Sequence, residues 1–330
     1  PISGDSDDEY LELFNMGSNT VDISNWRFVD GISYVFPMGT SIPAGGYIIV
    51  AENKARMIAR SAQLTEANTF GNYSGRLADN GERVALARPD DPALPFQDFV
   101  TVDEVTYGDG DDWGRWSDGD GSSLELIDPH SDNRRGMNWA GSDETAKAPW
   151  TTIDYVGTMD HGSGSAGNAD VMYLQDGECI IDDIMITRED DGAILLNQDF
   201  ESGISGWTLY GNHNRSDLNT IGGVGGSQAL HVRASGAGNR GTWGTDSQFF
   251  FNYLNRALTV IPDPDDTIRI QAQVRWLTGW PHMILALEGF WVEAPITMNL
   301  PLNLGSPGLQ NSRFAANAGP AIGDVTHAPL

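Results

Sequence analysis

The stretch TIRIQAQVRWL (267–277) alternates strictly: Ile268, Ile270, Ala272, Val274 and Trp276 fall on one side, Arg269, Gln271, Gln273 and Arg275 on the other. A period of two belongs to an extended strand with one face on a core and the other in water, and a helix cannot satisfy it. Short runs of the same kind, bounded by Gly, Pro, Asn and Asp, are EYLELFN (9–15), YIIVA (47–51), RVALARP (83–89) and SLELIDP (123–129). VMYLQ (171–175), ECIIDDIMIT (178–187), ALHVRAS (229–235) and MILALEGFWVEA (283–294) continue the series. NKARMIARSAQL (53–64) is the one credible helix, and it is short. Many short strands separated by turn residues predict an all-β chain built from sandwiches. Its 330 residues leave room for two or three cores. The polar stretch SDETAKAPW (142–150) marks an expected domain junction. From Met298 the composition turns to Pro, Gly, Asn and Ser, that of an extended linker or tail over 298–330.

Charge narrows the partners. Forty-six acidic residues face nineteen basic ones, a formal net charge of −27, and lysine occurs only at Lys54 and Lys147. Such a surface repels nucleic-acid phosphates and anionic lipid, so no nucleic-acid partner is expected. No run of about 18 apolar residues occurs, so no membrane insertion by a helix is expected. The chain opens on Pro1 without a visible signal peptide and closes on GDVTHAPL, so it reads as a piece of a larger protein. The single cysteine, Cys179, leaves no internal disulfide and no Cys-based zinc site. Aspartate outnumbers glutamate 33 to 13 and clusters beside glycine in YGDGDDWGRWSDGDGSS (107–123) and beside proline in IPDPDD (261–266). These runs read either as solvated turns or as oxygen ligands for calcium, and none completes the calcium loop of a helix–loop–helix hand.

Catalytic patterns fail on their context. GAGNRG (236–241) and GSGSAG (162–167) have the spacing G-x-G-x-x-G. A dinucleotide loop also needs a helix after it, and neither TWGTDSQFF nor NADVMYL is helical. There is no G-x-S-x-G elbow, no phosphate-binding P-loop and no H-E-x-x-H, and the six histidines are scattered. No catalytic residue is nominated, and the chain is expected not to be an enzyme.

Two resemblances organise the rest. EYLELFNMGSNTVDISNWRFVDGISYVFPMGTSIPAGGYIIVA (9–51) resembles a bacterial lamin-tail domain. Glu-Leu-Phe-Asn, a Gly-Ser turn, V-D-I-S-x-W and F-P-x-G-T-x-I-P-A-G-G-Y follow in the family's order. SGRLADNGERVALARPD (74–90) and VDEVTYGDGDDWGRWSDGDGSSLELIDP (102–129) extend the likeness, giving an expected domain over 1–145. The resemblance implies an immunoglobulin-like sandwich without an enzymatic site, with Trp26, Phe28, Val35 and Phe36 as core candidates. The family's usual opening strand, I-N-E-I, is replaced here by PISGDSDD. The edge beside EYLELFN is therefore expected to be filled by another segment, or by a neighbouring molecule through strand addition.

LLNQDFESGISGW (195–207) resembles the opening strand of carbohydrate-binding modules with a galactose-binding-like jelly roll, and the I-D-D-I of ECIIDDIMIT resembles the closing one. The closing phrase comes first. The roughly forty residues from Trp150 to Ile186 are too few for a sandwich of their own. A single permuted jelly roll over 146–297 is expected, joined through TREDDGAI (187–194), with two half-modules as the alternative. The whole order resembles very large exported proteins of planctomycete- and verrucomicrobium-like bacteria. In the module family a structural calcium often joins the Glu of D-F-E to an Asp of D-D, which implies Glu201 and Asp183; no other cofactor is expected.

The polar side of these strands carries His231, Arg233, Gln271, Gln273, Arg275 and Glu288, residues able to hydrogen-bond sugar hydroxyls. Trp243, Tyr253, Trp280 and Trp291 offer rings for stacking. An ordinary solvated face, with the tryptophans in the core, is the plain alternative. The function expected is non-catalytic attachment outside the cell or at its surface, to glycan or to a neighbouring surface protein. The alternatives are a structural subunit of a self-assembling surface layer or filament, and an accessory region of an exported enzyme.

Overall fold

Apolar alternation becomes strand in the computed structural model, which describes residues 3–91, 98–110, 112–119, 121–144, 147–162, 166–173, 175–236, 252–287 and 290–301. They divide into two compact units, one ending at Asp143 and the other running from Glu144 to Pro301. The class is all-β, as the alternation predicts.

The first unit is built on β1 (Tyr10–Phe14), β2 (Arg27–Asp30), β3 (Tyr47–Ala51), β4 (Thr69–Gly71), β5 (Arg83–Pro89) and β6 (Phe99–Thr106). One sheet has the order β1-β3-β4, the other β6-β5-β2. Phe28, Phe36, Ile48, Val50, Val84 and Leu86 form the core between them, and Phe36 meets Tyr34 and Phe70 edge-on at 5.1 and 6.0 Å. Trp26 lies half-buried against this core. Val35 departs from expectation: it is 57% exposed. Successive residues of extended chain point to opposite sides, so seating Phe36 in the core turns Val35 out.

Asn15, the last residue of ELFN, explains why that phrase and IPAGGY occur together. Its buried side chain donates from Nδ2 to the carbonyls of Asn19 (2.8 Å), Ile42 (2.9 Å) and Pro43 (3.0 Å), and Oδ1 accepts from the Gly17 amide (2.9 Å). The Gly45 amide closes the knot on the Asn15 carbonyl at 2.9 Å, with Gly45 at φ +63°, where a side chain would be strained.

Helix α1 (Lys54–Arg60) is shorter than the run that predicts it: Asn53 caps the Arg56 amide at 3.1 Å, and the chain is extended again at Ser61. Its arginines face the opening residues, which form a short turn over Ser6–Asp8. Arg56 binds Asp5 and Asp8 at 2.6 Å each, and Arg60 also binds Asp8. SGDSDD is therefore an acidic clamp on α1.

Strand β1 is the edge of its sheet. Bonds at Glu9–Glu52 (3.1 Å) and Asn15–Gly46 (3.0 Å) bracket its straight register with β3. Antiparallel alternation then turns the backbone of Glu12 and Phe14 away from β3, and among the described residues no strand pairs with that side.

The second unit contains β7 (Thr151–Thr158), β8 (Asn168–Tyr173), β9 (Gly177–Arg188), β10 (Ile194–Gln198), β11 (Trp207–Leu209), β12 (Asp217–Asn219), β13 (Ala229–Ala234), β14 (Leu254–Ala257), β15 (Thr267–Gly279), β16 (His282–Leu287) and β17 (Phe290–Thr297). Two six-stranded antiparallel sheets form. One has the order β7-β15-β9-β13-β12, with β10 also on β9; the other runs from His161–Gly162 through β17-β16-β8-β14 to β11. Cys179 Sγ on β9 lies 3.7 Å from Met283 Sδ on β16, which sets the two sheets face to face. The alternation of β15 holds: Ile268, Ile270, Ala272, Val274 and Trp276 are all buried.

The closing-type phrase lies beside the opening-type one, with Ile184 opposite Gln198 and Ile186 opposite Leu196. Strands β7, β8 and β9 all take partners from beyond residue 194, so residues 151–188 are woven into one unit with the rest. MILALEGFWVEA is not one strand but the two arms β16 and β17, paired from His282–Thr297 to Leu287–Val292. Glu-Gly at its centre is a turn signal, and it overrides the apolar flanks. The chain does not leave the unit at Met298 either. Met298 and Leu300 are buried, and the Asn299 amide donates to Thr151 Oγ1 at 2.7 Å; 302–330 lie outside the described residues.

Replacing Asn15 with Ala should lower stability by about 3 kcal/mol, because buried carbonyls lose their donor. Urea unfolding followed by circular dichroism measures it, and a loss below about 1 kcal/mol would remove Asn15 as the knot of this unit.

Candidate functional site

The outer face of the β7-β15-β9-β13-β12 sheet gathers most of the polar residues nominated from sequence, in two groups. Across β9, β13 and β12 runs a closed ionic network. His231 Nε2 meets Glu178 Oε2 at 2.8 Å, and Arg233 reaches Glu178 at 3.5 Å and Asp217 at 3.4 Å. Burial pushes the Glu178 carboxyl up, but the hydrogen bond from His231 and the charge of Arg233 outweigh it and hold the group below the usual range. His231 and Arg233 are thus engaged with neighbouring strands.

The second group lies on β7 and β15. Arg269 grips Asp154 with two bonds of 2.6 Å, which hold the Asp154 carboxyl below its ordinary value. Gln271 comes next, half-buried, and its side chain makes no hydrogen bond among the described residues. Gln273 accepts from Thr152 Oγ1 at 3.0 Å through Oε1, leaving its amide nitrogen for another acceptor. Arg275 lies over the Trp150 ring, 4.9 Å from its centre, and donates from Nη2 to the Gly222 carbonyl at 2.9 Å. Ile180, Ala229 and Leu277 form an apolar floor beside Trp150.

Trp150, Thr152 and Asp182 are not among the residues nominated from sequence. Asp182 occupies an outward position of β9 yet is only 1% exposed. Oδ2 accepts from the Val224 amide (2.9 Å) and from Ser227 Oγ (3.0 Å), pinning the glycine-rich loop 222–226 over the strand. A Cβ at Gly223 would stand 2.6 Å from that oxygen, which is why glycine is required there. The paired aspartates of I-D-D-I were the available signal.

Other nominations fall elsewhere. Trp280 is 4% exposed and sits with Met172, Tyr253, Ile284 and Ala286, edge-on to His282 at 5.1 Å. It and Tyr253 belong to the second sheet's buried cluster and offer no stacking surface, because the turn from β15 into β16 carries Trp280 past the polar face. Glu288 and Trp243 lie outside the described residues, and Trp291 is placed only as a position on β17. Burial takes His213 and His282 down to about 4, so both are neutral near pH 7, and pushes the Cys179 thiol up to about 12. His213 Nε2 accepts the Tyr173 amide at 3.1 Å, a structural use.

Asp183 and Glu201 do approach each other's field. Burial raises the Asp183 carboxyl above its ordinary value, and the charges of Asp182, Asp199 and Glu201 raise it further. Glu201 Oε1 is already taken by the Gln228 amide at 2.7 Å. Among the described residues no group of three or more His, Cys, Asp or Glu side chains is placed to hold a metal ion.

Residues 2–109 match the family described as Lamin Tail Domain, an immunoglobulin-like β-sandwich that is not a catalytic fold. Searches of curated proteins and of solved structures gave no match to the chain.

A carboxyl raised above its unfolded value of about 3.9 contributes stability while protonated, and the contribution is lost as pH rises through the folded value. Asp183 therefore opposes folding at pH 7. Asp183→Asn tolerates the left-handed backbone at φ +52°. In chelator it should melt above the parent chain at neutral pH and level with it in acid. Added calcium should reverse the neutral order if the ion binds here, and an unchanged order in thermal scans removes calcium from this site.

Proposed function

We propose that the chain is a non-catalytic attachment segment of a larger exported protein and that it holds glycan on the outer face of β7 and β15. The observation that supports this best is the strip Gln271, Gln273, Arg275 and Trp150. Long amide and guanidinium donors stand there at fixed strand positions, and no acidic side chain consumes them. Flat, rigidly spaced donors beside an aromatic ring and an apolar floor suit hydroxyl-rich rings, which present polar edges and an apolar face. The resemblance of the phrases LLNQDFESGISGW and I-D-D-I to those of galactose-binding-like modules points the same way, as does the place of such modules in exported bacterial proteins. Gln271→Ala and Gln273→Ala should each weaken binding by about tenfold, one good hydrogen bond's worth, and Gln271→Ala should do so without moving the melting temperature. A glycan array probed with the full chain tests the reading, and an empty array overturns it.

The open side of β1 favours a second reading, a structural subunit joined to its neighbours by strand addition. Glu12→Pro removes an amide that the pairing with β3 does not use, so the fold should survive while the edge is blocked. Under this reading light scattering shows concentration-dependent association that Glu12→Pro abolishes. A monomer at every concentration discards it.

A further inference from the structure

We infer that the glycan held on this face carries a carboxylate, a uronic-acid unit, and that Arg275 receives it. This rests on the glycan reading and names its ligand class. Three other arginines of the unit are neutralised by acids, Arg269 by Asp154, Arg188 by Asp191 and Asp266, and Arg233 by Glu178 and Asp217; among the described residues exposed Arg215 has no acid partner, and Arg256 donates Nη1 to the Ser205 carbonyl. Arg275 has no such partner among the described residues, although the chain carries 46 acidic side chains. One backbone carbonyl, that of Gly222, takes its Nη2; Nε is buried with no hydrogen bond, and Nη1 has no acceptor among the described residues. Only burial acts on its charge, drawing the guanidinium below its ordinary pKa.

A partly desolvated cation without a counter-charge is costly to keep. A purely structural role would be served by stacking on Trp150 with a neutral side chain. The guanidinium is also held in position before any ligand arrives. Trp150 supports its plane at 4.9 Å, and the carbonyl it binds belongs to the loop that Asp182 anchors through Val224 and Ser227. A planar fork with unused N–H groups matches a carboxylate better than it matches a lone hydroxyl. Gln273 and Gln271 follow on the same face at strand spacings of about 7 Å, within reach of hydroxyls on the same ring and the next.

The test is calorimetric titration of the full chain with homogalacturonan oligomers, and with the same oligomers after carboxyl reduction, at physiological ionic strength. The acidic form should bind at least about tenfold tighter than the neutral one. Arg275→Gln should erase that preference, weakening the acidic form at least about tenfold more than the neutral one, and Arg275→Lys should restore part of it. Equal binding of the two forms by the parent chain overturns the carboxylate inference and leaves the glycan reading standing. So does an Arg275→Gln effect of the same size on both forms, which would make Arg275 a clamp for Trp150 and the loop. If neither form binds, and alginate and neutral-glycan panels are also silent, the glycan reading fails and this inference with it.

Discussion

Strand β9 is hydrogen-bonded along both edges, and the second unit depends on how those edges are shared. One edge pairs with β15 from Gly177 to Arg188. The other changes partner midway: β13 takes Gly177 to Ile181, and β10 takes Ile184 to Thr187. The change falls at Asp182–Asp183, where the register with β15 shifts and Asp183 takes φ +52°. A strand that long and twisted cannot keep straight neighbours on both sides, and a bulge supplies the bend. Asp182 then uses the gap, turning its carboxylate onto the loop that leads into β13. Because strand pairing does not depend on the order in which the chain delivers its strands, the closing-type phrase can come first without loss.

That seam positions the polar face. The loop held by Asp182 supplies the Gly222 carbonyl to Arg275, and Arg275 lies over Trp150 just before β7. A single buried carboxylate thereby connects the centre of the sheet to its edge. The surrounding ion pairs are surface features of modest worth individually, but they decide which side chains are occupied. Glu178 and Asp217 engage His231 and Arg233, Asp154 engages Arg269, and the uncommitted donors concentrate at Gln271, Gln273 and Arg275.

In the first unit the same economy of buried polar groups appears in Asn15 and Asp8. Asn15 satisfies carbonyls from two turns at once, and Asp8 binds both arginines of α1. Both fix loops so that β1 and β3 keep their register, and among the described residues no strand pairs with the other side of β1.

The amino-acid sequence by itself determined which side of each strand faces the core. In β15 and β13 the alternation placed Trp276, Val274, Leu230 and Val232 inside without error, because that pattern is local and the pleat has a period of two. It also carried the phrases that match the lamin-tail family over residues 2–109. Alternation is silent about what lies across from a residue, since pairing joins positions far apart in the chain. Tertiary structure alone decided that His231 meets Glu178, that Arg275 meets Trp150 and no carboxylate, and that Trp280 is enclosed on the other sheet. The same holds for Val35, turned out by the burial of its neighbour, and for Asp182, an acid in an outward position that a distant loop encloses.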